Sequence, residues 1–268
     1  MNEKARTLPS TGWAKILLLG SSLVLASACA TPGPSAESKD FDGDARARAH
    51  YKLGVEHLRL GQPALAVRDL LAAQGYDAAD PWIYLALAEA YRMQGRTKLA
   101  EDSLDEALRL RPDFQEARLN LSALYIQMDR YEESIAQSHM LLQDPTFPVP
   151  WKALTNQGWA ELQLGRLADA RRTLELAVQY HENYWQAILN LGILEAKEGN
   201  RLDALEQFEK VLALGPGPAA EAEAHYRIAE IYVSLGNRDR AVQHLTAASS
   251  GPSGPWGKRS EDYLKRLR

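Results

Sequence analysis

Side chains that could carry out chemistry are few and scattered along this chain of 268 residues. Six histidines are present, but no two stand four apart around a glutamate, the spacing that places two imidazoles on one helix face to bind zinc. Neighbouring acids such as Glu132 and Glu133 fit a solvated helix face better than an acid and base pair. The sequence also lacks a nucleophile elbow, a glycine-rich phosphate loop and a cysteine–histidine ligand set. We therefore expect no catalytic residue, no metal site and no cofactor.

Cys29 is the only cysteine, and the segment before it predicts that its sulfur is lipidated. Basic residues precede an apolar run over residues 16–26, which is about half the length that a bilayer-spanning helix needs. Ser27 and Ala28 are small enough to let a peptidase reach the bond before the cysteine. The pattern predicts a lipoprotein signal peptide over residues 1–28 and an acylated Cys29. An unmodified thiol after an ordinary signal peptide is the alternative interpretation.

Residues 29–46 are polar and rich in proline, glycine and serine, so we interpret them as the lipidated cysteine and a flexible tether. Ala30 follows the cysteine, where an aspartate is generally understood to retain a lipoprotein in the inner membrane. The sequence therefore predicts a lipid anchor in the outer membrane, with the protein facing the periplasm. Removal of residues 1–28, which carry three positive charges and one negative, changes the formal net charge from −4 to −6. Such an acidic chain disfavours nucleic acid as a partner.

A repeat with steps of 34 to 37 residues organises the rest of the chain. One small residue marks the register of each unit: Gly54, Ala88, Ser122, Gly158, Gly192 and Ala229. A second small residue follows twelve positions later: Ala66, Ala100, Ser134, Ala170, Ala204 and Ala241. Small residues at two fixed positions let two helices cross at a normal separation of about 8–10 Å. Each unit is therefore expected to be a helical hairpin.

Turn residues stand where such hairpins need them. Seven positions after the first small residue come Gly61, Gly95, Gly165, Gly199 and Gly236, with Asp129 in the third unit. The two longest steps coincide with the proline-rich segments 147–151 and 215–218, which we expect to be loops. The pattern resembles the tetratricopeptide repeat, which implies an all-α solenoid of six hairpins over residues 47–250. Residues 251–268 are predicted to form a loop and a capping helix with Ser260 as its N-cap.

Three consecutive units place an asparagine two residues before the small residue, at Asn120, Asn156 and Asn190. First helices line the concave side of such a solenoid, so these amides would form a row there. A side-chain amide both donates and accepts hydrogen bonds, which would suit the main chain of an extended peptide. The amides could equally bond neighbouring helices and tie the repeats together, and the sequence leaves this choice open.

Apolar side chains surround this row on the same predicted face, and we interpret them as the walls of a partner-binding groove. They are Tyr51, Val55, Leu58, Trp82, Leu85, Met93, Leu119, Ala123, Ile126, Trp159, Leu162, Leu189 and Ile193. Such a surface suits an amphipathic helix of a partner better than a charged tail. The alternative for some of them, Trp159 and Leu162 especially, is packing between neighbouring units.

The mature chain also resembles the pilotin lipoproteins of type IV pili, the family that includes PilF, PilW and Tgl. The resemblance is carried by the opening segment 47–54, by the second-helix segment 64–70, and by residues 144–158 with their extra turn and Asn156. It implies a protein that binds the secretin subunit, helps it reach the outer membrane and promotes its multimer assembly, as pilus-based motility requires. The concave face would then hold part of the secretin. A scaffold lipoprotein for another cell-envelope assembly machinery is the alternative function.

Overall fold

The computed structural model describes residues 45–251 and 254–267, and every regular element in these ranges is an α-helix. The thirteen helices of this part of the chain are α1 (Ala45–Arg59), α2 (Pro63–Tyr76), α3 (Pro81–Met93), α4 (Thr97–Leu110), α5 (Gln115–Gln127), α6 (Tyr131–Leu142), α7 (Pro150–Gln163), α8 (Leu167–Tyr180), α9 (Trp185–Glu198), α10 (Arg201–Leu214), α11 (Pro218–Ser234), α12 (Arg238–Ser249) and α13 (Pro255–Leu267). The expected all-α fold is confirmed. Cys29 and the predicted signal peptide lie outside the described residues, as does the tether up to residue 44.

The helices pair into six hairpins, because each odd-numbered helix from α1 to α11 packs against the even-numbered helix that follows it. Hairpin 1 is α1 with α2, and hairpin 6 is α11 with α12. Each odd-numbered helix, here called a first helix, also contacts the next first helix. No two even-numbered helices in the described part of the chain make backbone contact with each other. Because the first helices lie closer together, they form the inner, concave side of the stack.

The turn inside each hairpin has one residue in the left-handed backbone region. The φ angle lies between 68° and 89° at Gly61, Gly95, Gly165, Gly199 and Gly236, and is 56° at Asp129. Aspartate tolerates this region better than most residues with a side chain. The Oδ1 atom of Asp129 accepts a hydrogen bond of 2.7 Å from the hydroxyl of Tyr131. The predicted turn positions are confirmed, including the aspartate in hairpin 3.

The two helices of a hairpin cross where the small residue stands. A Cβ atom added to Gly192 would lie 2.6 Å from Cε1 of Phe208, and one added to Gly158 would lie 2.6 Å from Cγ of Leu174. Packed interiors do not hold carbon atoms so close, so a larger residue at either position would displace the side chain beside it. The alanines or serine twelve positions later are buried in all six hairpins. The predicted crossing is confirmed, and the residue sixteen positions after the glycine fills the space beside it.

Hairpin 3 makes the same crossing with polar side chains. Ser122 stands at the small position, and its Oγ lies 2.7 Å from Oγ of Ser138 and 3.2 Å from Oγ of Ser134. All three serines are fully buried. Phe147, in the predicted loop between α6 and α7, is also buried and packs against Leu141. The extra residues of the longer repeat step therefore form a turn that is held to the core by the buried Phe147 side chain.

The array ends in a seventh first helix. α13 contacts α11 and α12 in the way that earlier first helices contact the preceding hairpin. The spacing within α13 matches that of a first helix, where an aromatic residue stands four before the small residue and a tyrosine three after it. In α13 these residues are Trp256, Ser260 and Tyr263, and Ser260 is fully buried. The prediction that Ser260 caps the helix is wrong, because α13 begins at Pro255 and Ser260 occupies the small position inside it.

Gly192→Ala should lower the free energy of unfolding by about 1–3 kcal/mol, because the new methyl group must displace the fully buried ring of Phe208. The matched control is Gly75→Ala in α2, where an added Cβ has nothing within 4 Å and alanine has the higher helix propensity. Urea unfolding followed by circular dichroism compares the two variants. Equal urea midpoints for the two variants would show that the crossing at Gly192 has room for a methyl group.

Candidate partner-binding groove

The concave face of hairpins 1 and 2 carries a continuous group of half-buried apolar side chains. Tyr51, Val55 and Leu58 of α1 pack on the core that α1 shares with α2 and α3, and keep part of their surface exposed. Trp82 and Leu85 of α3 do the same on the core that reaches α5. The structure therefore brings together five of the predicted groove residues on neighbouring first helices.

The ring of Trp82 is held in one direction by two contacts. Its centroid lies 4.7 Å from that of Phe114, edge to face, and 5.3 Å from the guanidinium carbon of Arg111. Asp80 caps the same helix and accepts a hydrogen bond of 2.8 Å from the Trp82 amide. Burial, with Asp80 nearby, raises the pKa of Tyr51 to about 12. This part of the groove is formed before a partner arrives.

A small depression between hairpins 2 and 3 lies beside Asn120 and Ala123. Glu89 and Arg92 line it and form an ion pair, with 2.7 Å between nitrogen and oxygen. The Oδ1 atom of Asn120 is buried and has no hydrogen-bond partner among the described residues. A buried acceptor left in this way is costly. The rest of the Asn120 side chain is half-buried at the depression, so the residue remains a candidate for contacting a ligand.

Leu119 does not belong to the open groove. It is 2% exposed and packs against Leu141 and Phe147 in the core. Leu162 and Leu189 are buried as well, so the interpretation of Leu162 as packing between units is right. The prediction that Leu119 and Leu189 line an accessible surface is wrong. The repeat register gives the direction of a side chain, but the turn before α7 covers Leu119.

Trp159 and Ile193 extend the apolar face into hairpins 4 and 5. Both are half-buried and pack on the core that contains Leu174 and Leu194. Between the two ends of the groove, Ile126 is half-buried, and Met93 is exposed at the end of α3. The groove therefore consists of an apolar region on hairpins 1 and 2, the small depression beside Asn120, and a second apolar region.

The asparagine row divides between two roles. Asn156 is 2% exposed, and its Nδ2 donates a hydrogen bond of 3.3 Å to Oγ of Ser122. This bond joins hairpin 4 to the buried serines of hairpin 3. The interpretation that the amides tie repeats together is right for Asn156, and its prediction as a partner-binding residue is wrong. Asn190 is half-buried, and Asn120 lines the depression.

Comparison with known families agrees with this architecture. Family models described as tetratricopeptide repeat match residues 51–113, 92–157, 151–175 and 189–255, which together are more than half of the chain. This chain belongs to the tetratricopeptide-repeat family. The repeat period, the small crossing residues and the turn glycines are thus those of the tetratricopeptide fold.

Several individual proteins are similar to this tetratricopeptide chain. It is 25% identical over 219 residues to the type IV pilus assembly protein PilF of Pseudomonas aeruginosa, which is 81% of this chain and 85% of PilF. The crystal structure of PilW, a widely conserved type IV pilus biogenesis factor, superposes with a TM-score of 0.70 at 22% identity and covers 81% of this chain and 98% of PilW. Superkiller complex protein 3 of Mus musculus is 34% identical over 120 residues, but these are only 8% of that protein. The predicted resemblance to the family of PilF and PilW is confirmed.

At the C-terminal end of the array, the contact between α11 and α13 was missed from the sequence. Trp256 of α13 packs on Tyr226 of α11, with ring centroids 5.2 Å apart. The guanidinium carbons of Arg227 and Arg259 lie 4.9 Å and 4.6 Å from the Trp256 ring. Burial raises the pKa of the nearby Glu223 carboxyl. The tetratricopeptide spacing inside α13 is the signal that could have identified this end.

Two further properties apply to the described residues. Within residues 45–251 and 254–267, no three histidine, aspartate or glutamate side chains are grouped so as to hold a metal ion. None of the helices in the described ranges is long and apolar enough to cross a membrane.

Asn156→Ala should lower the free energy of unfolding by about 1–3 kcal/mol, because it leaves the buried serine cluster without its inter-hairpin donor. Asn120→Ala is the matched control and should change stability by less than about 0.5 kcal/mol, since its Oδ1 makes no hydrogen bond within the described chain. Thermal unfolding of both variants measures the difference. If Asn120→Ala were the more destabilising change, the division of roles within the row would be incorrect.

Proposed function

We propose that this tetratricopeptide protein is a lipid-anchored pilotin of the outer membrane, which binds the secretin subunit of the type IV pilus machine and promotes its localisation and multimer assembly. The observation that carries the proposal is the similarity to PilF, because it extends over most of both chains. A shared repeat motif alone would match only a fraction of the relative, as with Superkiller complex protein 3. The names of PilF and PilW refer to type IV pilus assembly and biogenesis, which supports a role of this chain in that process.

The groove supports the binding of a protein segment. Tyr51, Val55, Trp82 and Leu85 are held by the core, so little side-chain entropy is lost when a partner covers them. Covering their remaining apolar surface contributes about 25 cal/mol per Å². This arrangement suits the apolar face of an amphipathic helix.

An extended peptide fits the groove less well than a helix. Main-chain recognition of such a peptide needs a series of unpaired donors or acceptors along the groove. Asn156 is engaged with Ser122, so it cannot contribute to such a series. Asn120 is half-buried at the depression and leaves a single amide of the row beside the apolar region of hairpins 1 and 2. The proposed client segment is therefore an amphipathic helix of the secretin, with one polar contact to Asn120.

Trp82→Ala combined with Leu85→Ala should weaken secretin binding by about 2 kcal/mol or more, which is about thirtyfold in Kd, because anchors of this type dominate interface energies. In pilus-bearing cells, fewer secretin multimers should form at equal levels of the variant. Leu202→Ala is the control, since Leu202 is 77% exposed at the start of a second helix. Normal multimers in cells with the double variant at native levels would rule out this groove as the working surface.

Cys29→Ser should leave the array folded and release it from the outer membrane, because the described helices all lie after the tether. Two or three acyl chains are needed for stable anchoring, and none can form on serine. Fractionation of envelopes and circular dichroism of the purified variant test the two parts of this prediction. A serine variant that stays in the outer-membrane fraction would contradict the lipid anchor. It would not bear on whether the groove binds a partner.

A further inference from the structure

Among the described residues, hairpin 1 has a neighbouring hairpin on one side only, and it exposes apolar side chains on the other side. Leu53 of α1 is 51% exposed, and Leu65 of α2 is 38% exposed. His57 contacts Asp69 across the hairpin, with 3.3 Å between Nε2 and Oδ2. Leu53 and Leu65 each stand four positions before one member of this pair, so both face the same side. We define the outer end of the array as the exposed residues Ala49, Leu53, Leu60 and Leu65.

The corresponding positions of other hairpins are not exposed and apolar. The position of Leu53 holds a buried residue in four of them: Leu87, Leu121, Leu191 and Ile228. The position of Leu65 holds an acid in three of them: Glu133, Asp169 and Asp203. An exposed apolar group that breaks the pattern of the array in this way marks an interaction surface.

Hairpin 1 is also basic within an acidic protein. Residues 45–76 contain five lysines and arginines and two acids, whereas the whole chain has a formal net charge of −4. One of these acids, Asp69, is buried and contacts Arg68 as well as His57. Lys52 and Arg68 are exposed, and so is Arg59, which forms an ion pair with Glu56. The surface around the outer end is therefore positive and attracts anionic groups.

The outer end is the part of the array closest in sequence to the predicted anchor. α1 begins at Ala45, and only residues 30–44 separate it from Cys29. As the flexible tether expected from the sequence, these fifteen residues would span roughly 20 Å. In the lipid-anchored protein proposed above, hairpin 1 is therefore held beside the membrane.

We propose that the outer end docks on the anionic lipid surface to which the protein is anchored. Leu53, Leu60 and Leu65 enter the headgroup boundary, while Lys52 and Arg68 contact lipid phosphates. The contact adds a second point of attachment and directs the array away from the bilayer, so that its concave groove faces the periplasm along its length. The proposal rests on the lipid anchor of the proposed function, but it does not depend on the identity of the client.

A second copy of the chain fits the outer end less well. The free end of the array is α13, which carries four basic and two acidic residues. Head-to-tail contact between copies would therefore bring two basic surfaces together, which costs free energy. A lipid surface with anionic headgroups is complementary to hairpin 1 in both charge and polarity.

The test uses a chain that begins at Ala30, which retains the described hydrophobic clusters, because they lie within residues 51–267. This chain has no cysteine, so Leu53→Cys introduces a single site for an environment-sensitive fluorophore. Leu202→Cys, at the 77% exposed leucine of hairpin 5, is the matched control. On vesicles of phosphatidylethanolamine and phosphatidylglycerol, the label at position 53 should report an apolar environment, and the label at position 202 should not. On phosphatidylcholine vesicles, or at high salt, the response at position 53 should weaken.

Leu53→Glu combined with Leu65→Glu should reduce partition onto the anionic vesicles by about tenfold in a flotation assay. Glutamate stands at the position of Leu65 in hairpin 3, so helix content should be unchanged, and Leu202→Glu should float like the parent chain. No flotation on anionic vesicles, or equal responses at positions 53 and 202, would overturn the proposal. A response at position 53 that follows protein concentration without vesicles would assign the surface to a second copy and overturn it too. The vesicles contain no secretin, so these outcomes leave the pilotin function to its own test.

Discussion

The close crossing of two helices at one small residue is the constraint on which the rest of this protein depends. At Gly192 the crossing leaves no room for a Cβ atom beside Phe208, and at Gly158 none beside Leu174. Because the crossing fixes the rotation of each first helix about its axis, it sets which side of that helix faces the concave surface, and the neighbouring elements decide whether a residue there is exposed. The groove is thus a consequence of backbone packing, and its chemistry varies freely at positions that the crossing does not use.

The joint between hairpins 3 and 4 shows how a departure from the repeat is accommodated. Serines replace the apolar residues around the crossing, and buried hydroxyls are costly unless they are hydrogen-bonded. Ser122 contacts two other serines and accepts from Asn156, so the polar groups satisfy one another. The extra turn before α7 brings Phe147 into the neighbouring core. The longer step and the polar crossing therefore form one specialised joint that fixes two hairpins relative to each other.

The fold was predictable to a far greater extent than the site. Small residues and turn residues recur at fixed spacing because local backbone geometry demands them, and this information lies within each unit. Whether a side chain on the concave face is exposed depends on the residues that pack against it. The repeat period gives the direction of a side chain, but it does not say which other residues cover it. Tyr51 and Trp82 were placed correctly by register alone, whereas Leu119 is covered by a turn that occurs only once. Asn156 looked like a ligand contact because its serine partner is 34 residues away.

The two ends of the array differ in how much apolar surface they expose to water. A solenoid exposes the core-facing side of its last unit at each end, and a polar cover normally hides it. At the C-terminal end the chain supplies that cover itself, because α13 lies on hairpin 6 with Trp256 between two arginines. At the N-terminal end Leu53 remains half exposed among basic side chains, although its counterparts in four later hairpins are buried. Among the described residues no helix covers this end. Its exposed leucines fit the second interaction surface proposed above, which is separate from the groove and adjoins the predicted tether.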